Sequence, residues 1–138
     1  MTHTLRVLAA LLALLAVPAA ARAQDPIHWT ISRASSANVD AGKELDVTLT
    51  AEIEMGWHLY SLTQLPGGPQ TTTISFPAGQ VFTLVGHIEG PPPERALDPN
   101  FNNLETEYYE NSVSIPARVR VKPGTKSGRY SLKFEVFY

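Results

Sequence analysis

From Glu44 to Glu54 the chain reads ELDVTLTAEIE, with Leu45, Val47, Leu49, Ala51 and Ile53 alternating with acids and threonines. A period of two without a slip predicts a strand that buries one face and wets the other. Ser112 to Lys122 repeats the pattern: Val113, Ile115, Ala117, Val119 and Val121 alternate with Ser112, Ser114, Pro116, Arg118, Arg120 and Lys122. Pro116 has no N–H for a ladder, so it is expected at a sheet edge or at a position that makes no ladder bond. Shorter strands are predicted at Ile27, Trp29 and Ile31, at Thr72 to Phe76, and at Val81 to Ile88. The last runs from Tyr130 through Leu132, Phe134 and Val136 to Tyr138. It is expected in the middle of the fold, with Phe137 an exposed aromatic on its polar face.

Turn signals separate these runs: Asp40-Ala41-Gly42, Pro66-Gly67-Gly68-Pro69, Pro77-Ala78-Gly79, Gly90 to Pro93, and Pro123 to Gly128. Beyond the N-terminal leader no stretch holds helical periodicity for three turns. Short alternating strands with Gly/Pro punctuation predict an all-β protein, an immunoglobulin-like antiparallel β-sandwich.

The N-terminus breaks this pattern. Arg6 precedes an unbroken apolar run from Val7 to Val17, and Ala21-Arg22-Ala23 has the small-x-small form that a signal peptidase reads. The run is too short for a permanent span of ~30 Å of hydrocarbon. Residues 1–23 are therefore expected to be a signal peptide cleaved after Ala23, and residues 24–138 one exported sandwich domain in a periplasm-like compartment. The chain has no cysteine, so its stability must come from packing and not from disulfides. A net charge of −2 without a Lys/Arg cluster gives no footprint for nucleic acid.

Chemistry-bearing residues gather in two stretches. In Gly56-Trp57-His58-Leu59-Tyr60-Ser61 a sandwich would bury Trp57, Leu59 and Tyr60 and leave His58 facing solvent or a cleft. In Leu97-Asp98-Pro99-Asn100-Phe101-Asn102-Asn103 the turn residues surround a lone Phe101 that no periodic strand would bury. His28, His58, His87 and Met55 lack the i, i+2 spacing of a metal site on one strand, so no metal and no other cofactor is expected. Asp98, Glu105, Glu107 and Glu110 read as solvated surface rather than as a hydrolytic carboxylate pair.

The series WHLYS, GGPQTTTISF, LVGHIEGP, LDPNF and EYYENSVSIPARVRV resembles the N-terminal periplasmic domain of DsbD-type thiol:disulfide interchange proteins and the related disulfide bond corrector domains, from about Ile27 to Tyr138. The resemblance implies an immunoglobulin-like fold. It also implies an electron relay from a membrane-embedded partner domain to thioredoxin-fold periplasmic proteins. In that family the reactive cysteines lie in a hairpin just past a strand resembling Leu132 to Tyr138, and an aromatic in a mobile loop shields them. The resemblance places Phe101 in the role of that cap, with Asp98 in the cap loop, and puts Tyr60, His58 and Tyr108 beside the expected redox site.

Disulfide exchange needs a thiolate, and this chain has none. By itself it is expected to be redox-inert. The finish inside a strand raises the expectation of a fragment that stops short of the cysteine hairpin, over a relative that kept the fold and lost the chemistry. The other class of function is a non-catalytic exported interaction or adhesion module, since fold does not fix function.

Overall fold

The computed structural model of the protein describes residues 25–33 and 38–138. The expected signal peptide and its cleavage site lie outside the described residues. The chain order is β1 (Ile27–Arg33), β2 (Glu44–Ile53), β3 (Leu59–Tyr60), β4 (Thr73–Ser75), β5 (Phe82–Val85), β6 (Glu94–Asp98), a 3-10 turn (Pro99–Phe101), β7 (Leu104–Tyr109), β8 (Ser112–Val121) and β9 (Glu135–Phe137). All pairings among these strands are antiparallel.

The two strands with the clearest alternation form the centre of a four-stranded sheet of order β1-β2-β8-β5. Their register pairs Val47 with Ala117, Leu49 with Ile115 and Ala51 with Val113, so all the apolar side chains fall on one face. That face is the floor of the core: Val47, Leu49, Ala51, Ile115 and Val119 are fully enclosed. The opposite face carries ion pairs of Arg118 with Asp46 and of Arg120 with Glu44. Pro116 is tolerated inside this sheet for a geometric reason. The end bonds, Val121 N to Lys43 O at 2.9 Å and Ile53 N to Asn111 O at 2.8 Å, place the bonded β2–β8 pairs at odd-numbered positions. Pro116, opposite Thr48, falls between them, and on its other side β5 pairs no further than Arg118.

The second layer is made of smaller pieces, a three-stranded sheet β3-β7-β6 and a two-stranded sheet β4-β9. Leu59 and Tyr109 close the core from the first, and Ile74, Phe76, Leu132 and Phe134 pack on it around the second. Thr72 joins the two sheets: its N–H donates to Ser61 O at 3.0 Å and its hydroxyl to Tyr60 O at 2.5 Å. The all-β sandwich expected from the alternation is the observed architecture.

Several elements differ from expectation. Strand pairing in the last segment covers only residues 135–137; Leu132, Phe134 and Val136 are half-buried and Ser131, Lys133 and Glu135 exposed, as the alternation requires, but Tyr130 and Tyr138, expected inward, are exposed. The ladder stops because the residue that would face Lys133 is Pro77, which has no N–H. The side-chain amide of Gln80 takes over, accepting from Lys133 N at 3.1 Å and donating to Lys133 O at 3.0 Å. β9 is also bonded on one side only, to β4, so it lies at an edge and not in the middle of the fold. Phe137 is exposed, as its position on the polar face predicts. The strand expected over Val81 to Ile88 ends at Val85, before Gly86 with its left-handed φ of 74°.

Candidate functional site

The β6–β7 hairpin and the short β3 build one continuous ring surface on the outer side of the three-stranded sheet. Tyr60 of β3 is paired with Tyr108 of β7, which puts both side chains on that side. The His58 ring lies between them, its centroid 4.9 Å from Tyr60 and 5.4 Å from Tyr108. Phe101 completes the row, edge-on to Tyr60 at 6.0 Å and 89°. Such edge-to-face contacts add roughly 0.5–1.5 kcal/mol beyond area burial. Four residues expected at the site thus share one surface, although Tyr108 reaches Phe101 only through His58 and Tyr60. Leu59, on the other side of β3, is buried. Trp57 is not: it is 48% exposed, because it sits in the turn before β3 where no second layer covers it.

Asp98 ends β6 and organises the tip. Its Oδ1 accepts from Asn100 N at 2.9 Å, the side-chain cap of the 3-10 turn, and its Oδ2 accepts from the Tyr60 hydroxyl at 2.8 Å. The bond from Asn100 N, then that from Tyr60, hold the Asp98 carboxyl below its usual value, so it is an acceptor at neutral pH. Burial and the neighbouring Asp98 push the Tyr60 phenol up to about 12, so it is a donor there. Burial likewise raises Tyr108, with Glu110 and Glu94 adding to the effect. Asp98 as acceptor and Tyr60 as donor are suited to binding, orienting and covering.

A second polar cluster lies beneath the hairpin. Glu107 faces the core side of β7 and is buried. Its carboxylate accepts from Thr63 Oγ1 at 2.5 Å and pairs with Arg95 of β6 at 2.6 Å. Its N–H donates to Gln64 Oε1 at 3.1 Å, and its carbonyl accepts from Ser61 N at 2.8 Å and from the Gln64 side chain. The Thr63 hydroxyl, more than Arg95, keeps the Glu107 carboxyl below its usual value against the opposing effect of burial. These bonds lock the loop after β3 to the hairpin that carries Phe101. The expectation that Asp98 and Glu107 belong to solvated surface is thus wrong, while Glu105 and Glu110 are indeed exposed. What buries Glu107 is the Ser61–Gln64 loop folding over it, a contact between positions too far apart in the chain for LETEYY to announce.

Asn102 and Asn103 shape the turn beyond Phe101. Both are left-handed, with φ of 55° and 56°, and Asn is the ordinary residue most tolerant of that region, so the Asn-Asn pair was the available signal. His28 pairs with Glu54 at 3.5 Å and His87 with Glu89 at 2.6 Å, both at exposed positions. Among the described residues no group of three or more His, Cys, Asp or Glu is placed to hold a metal ion. No described helix is long and apolar enough to cross a membrane.

No curated protein and no solved structure matches the chain. A family model described as "Thiol:disulfide interchange protein DsbD, N-terminal" matches residues 30–138. That span contains both layers of the sandwich, the ring row and the capped turn, and it makes this chain a member of the family of DsbD amino-terminal domains, periplasmic domains that serve thiol:disulfide interchange with thioredoxin-like partners.

Proposed function

We propose that this chain is the docking and shielding part of an electron relay: residues 1–23 direct export, and the domain of residues 24–138 receives reducing equivalents from a membrane-embedded partner domain and passes them to oxidised thioredoxin-fold proteins. The exchange itself proceeds by attack of a thiolate on a disulfide sulfur, with the other sulfur leaving as thiolate. The second cysteine of the donor then resolves the mixed disulfide, leaving the donor oxidised and the acceptor reduced. With no cysteine in its sequence, this chain cannot perform that step alone. Its residues supply the surface on which the step occurs.

The observation that carries the reading is the position of Phe101. Its ring stands half-buried at the end of the row, held edge-on by Tyr60, on a three-residue turn between two paired strands. A ring laid over a disulfide blocks the line of approach of an attacking thiolate and makes favourable sulfur–aromatic contact. The β4–β9 register supports the same placement: Phe137 lies opposite Thr73, next to the Thr72 that bonds the Tyr60 carbonyl. Residues directly after β9 would run on past Thr72, whose N–H and hydroxyl bond the Ser61 and Tyr60 carbonyls of the strand that carries the rings.

The test starts from the gene beyond codon 138. With a closely following cysteine pair in place, Phe101→Ala should raise the rate at which a small free thiol reduces the disulfide by roughly tenfold or more. An unchanged rate, or no cysteine pair adjoining the domain, would defeat the relay. A non-catalytic interaction module would bind its partners without regard to Phe101.

A further inference from the structure

All three oxygens of Asp98 accept hydrogen bonds. Besides the bonds from Asn100 N to Oδ1 and from the Tyr60 hydroxyl to Oδ2, its carbonyl accepts from Asn103 N at 3.0 Å, closing the loop that carries Phe101. Only one of these three bonds reaches outside the hairpin. The Tyr60 hydroxyl belongs to β3, which is bonded to β7 on one side and to Thr72 on the other, and so is fixed to the body of the sandwich. Tyr60 also provides the edge-on contact to Phe101, so a single side chain holds both the turn and the ring it presents. Beyond the ring, Asn102 and Asn103 take the left-handed conformation, which Asn adopts more readily than other non-glycine residues.

Resting on the relay reading above, we propose that Tyr60 and Asp98 are positioning residues for the cap: the Tyr60–Asp98 hydrogen bond latches the hairpin tip shut over the ring row, and a thioredoxin-like partner must break it to lift Phe101, with Asn102 and Asn103 as the hinge. The bond persists across the physiological range, because the carboxyl stays ionised and the phenol protonated. Contact with a partner, rather than a change of proton, is then what opens the tip. The geometry gives the direction of opening: the tip swings away from β3 while the β6–β7 ladder below it, from Asp98–Leu104 to Glu94–Tyr108, stays paired.

The latch can be read on the chain as it stands, without any cysteine. Fluorophenylalanine labelling with ¹⁹F NMR reports the Phe101 environment, assigned by Phe101→Leu, and ¹⁵N relaxation reports order at Asn100, Asn102 and Asn103. Tyr60→Phe deletes one oxygen and keeps the ring. It should move the Phe101 signal towards that of a free side chain and lower the tip order parameters from about 0.85 to below about 0.6, leaving the amide spectrum of β2 and β8 unchanged. Asp98→Ala should loosen the tip further. It should also bring the tyrosine transition that is absent in Tyr60→Phe down from about 12 towards 10.0 in an alkaline absorbance titration. A tip as ordered in Tyr60→Phe as in the parent would overturn the latch, and that variant decides if Asp98→Ala fails to fold. A loosened tip combined with no effect of Phe101→Ala on disulfide protection would support the latch and sink the cap.

Discussion

The two layers of this sandwich fill the same core from opposite sides with different chemistry. In the four-stranded sheet the long strands β2 and β8 enclose alternate aliphatic residues and leave their charged ones in water, where the Arg118–Asp46 and Arg120–Glu44 pairs are exposed and screened. In the three-stranded sheet the strands are short, and part of what is enclosed is polar: Ser61, Asp98, Thr106 and Glu107 are buried, and their hydrogen bonds set the geometry. An apolar face tolerates small shifts, since its attraction is non-directional. A buried carboxylate does not, because each of its bonds has a preferred length and angle and an unmet one is costly. The layer that presents Phe101 is therefore specified by direction, whereas the layer beneath it is specified by volume. The cap role proposed for Phe101 calls for the first kind of specification.

The contrast can be broken or sharpened by experiment. The largest effect is expected at the centre of the four-stranded sheet. Ile115→Ala, at a fully enclosed position, should cost about 2–5 kcal/mol in urea unfolding followed by tryptophan fluorescence. Unfolding should remain a single transition with no selective loss at the tip. A cost below about 1 kcal/mol would show that the apolar layer does not carry the stability assigned to it.

A smaller and more local effect is expected from acid. Asp98 and Glu107 both have folded-state values depressed below their ordinary 3.8 and 4.5. Their contribution is fully present above those ordinary values and is lost as pH falls through the depressed ones. Lowering the pH from above 4.5 through the depressed values should thus reduce the amide protection factors of Ser61, Asn100, Asn103 and Glu107 before those of Leu49 and Ile115. Glu107→Ala should reproduce the loosening of the Ser61–Gln64 loop at neutral pH, with a Tm fall on the order of 5 °C. Simultaneous loss of protection in both layers would contradict the division drawn between them. The smallest effect belongs to the exposed pairs: Arg118→Ala should leave Tm within the error of calorimetry and leave the tip untouched, as exposed ion pairs contribute little.

Legibility followed the same division. β2 and β8 could be read because alternation over ten residues leaves only one face to bury. β3 is two residues long and has no period to read, and in β6 Leu97 lies on the core side of its sheet yet stays 66% exposed, since β6 is an edge strand that the opposite layer does not reach. In Leu132 to Val136 the pattern gave the right faces and the wrong ladder, because Pro77 withholds the donor that a continued pairing would need, and at Tyr130 it gave the wrong face as well. Phe101 and Asp98 were visible as turn chemistry around an unhoused ring. The bond from Tyr60 to Asp98 was not, since it joins positions 38 residues apart through a pairing of β3 with β7 that neither segment announces.

The amino-acid order alone therefore settled the all-strand class, the inward residues of β2 and β8, and the turn that carries Phe101, each of which depends on neighbours a few positions away. Only the folded chain decided that Glu107 is enclosed, that β9 lies at an edge, and that Tyr60, His58, Tyr108 and Phe101 form one row. Those outcomes depend on which distant strands pair and in what register. Pairing over such distances is chosen by the total burial and hydrogen bonding of the whole sandwich, and no local window contains that sum.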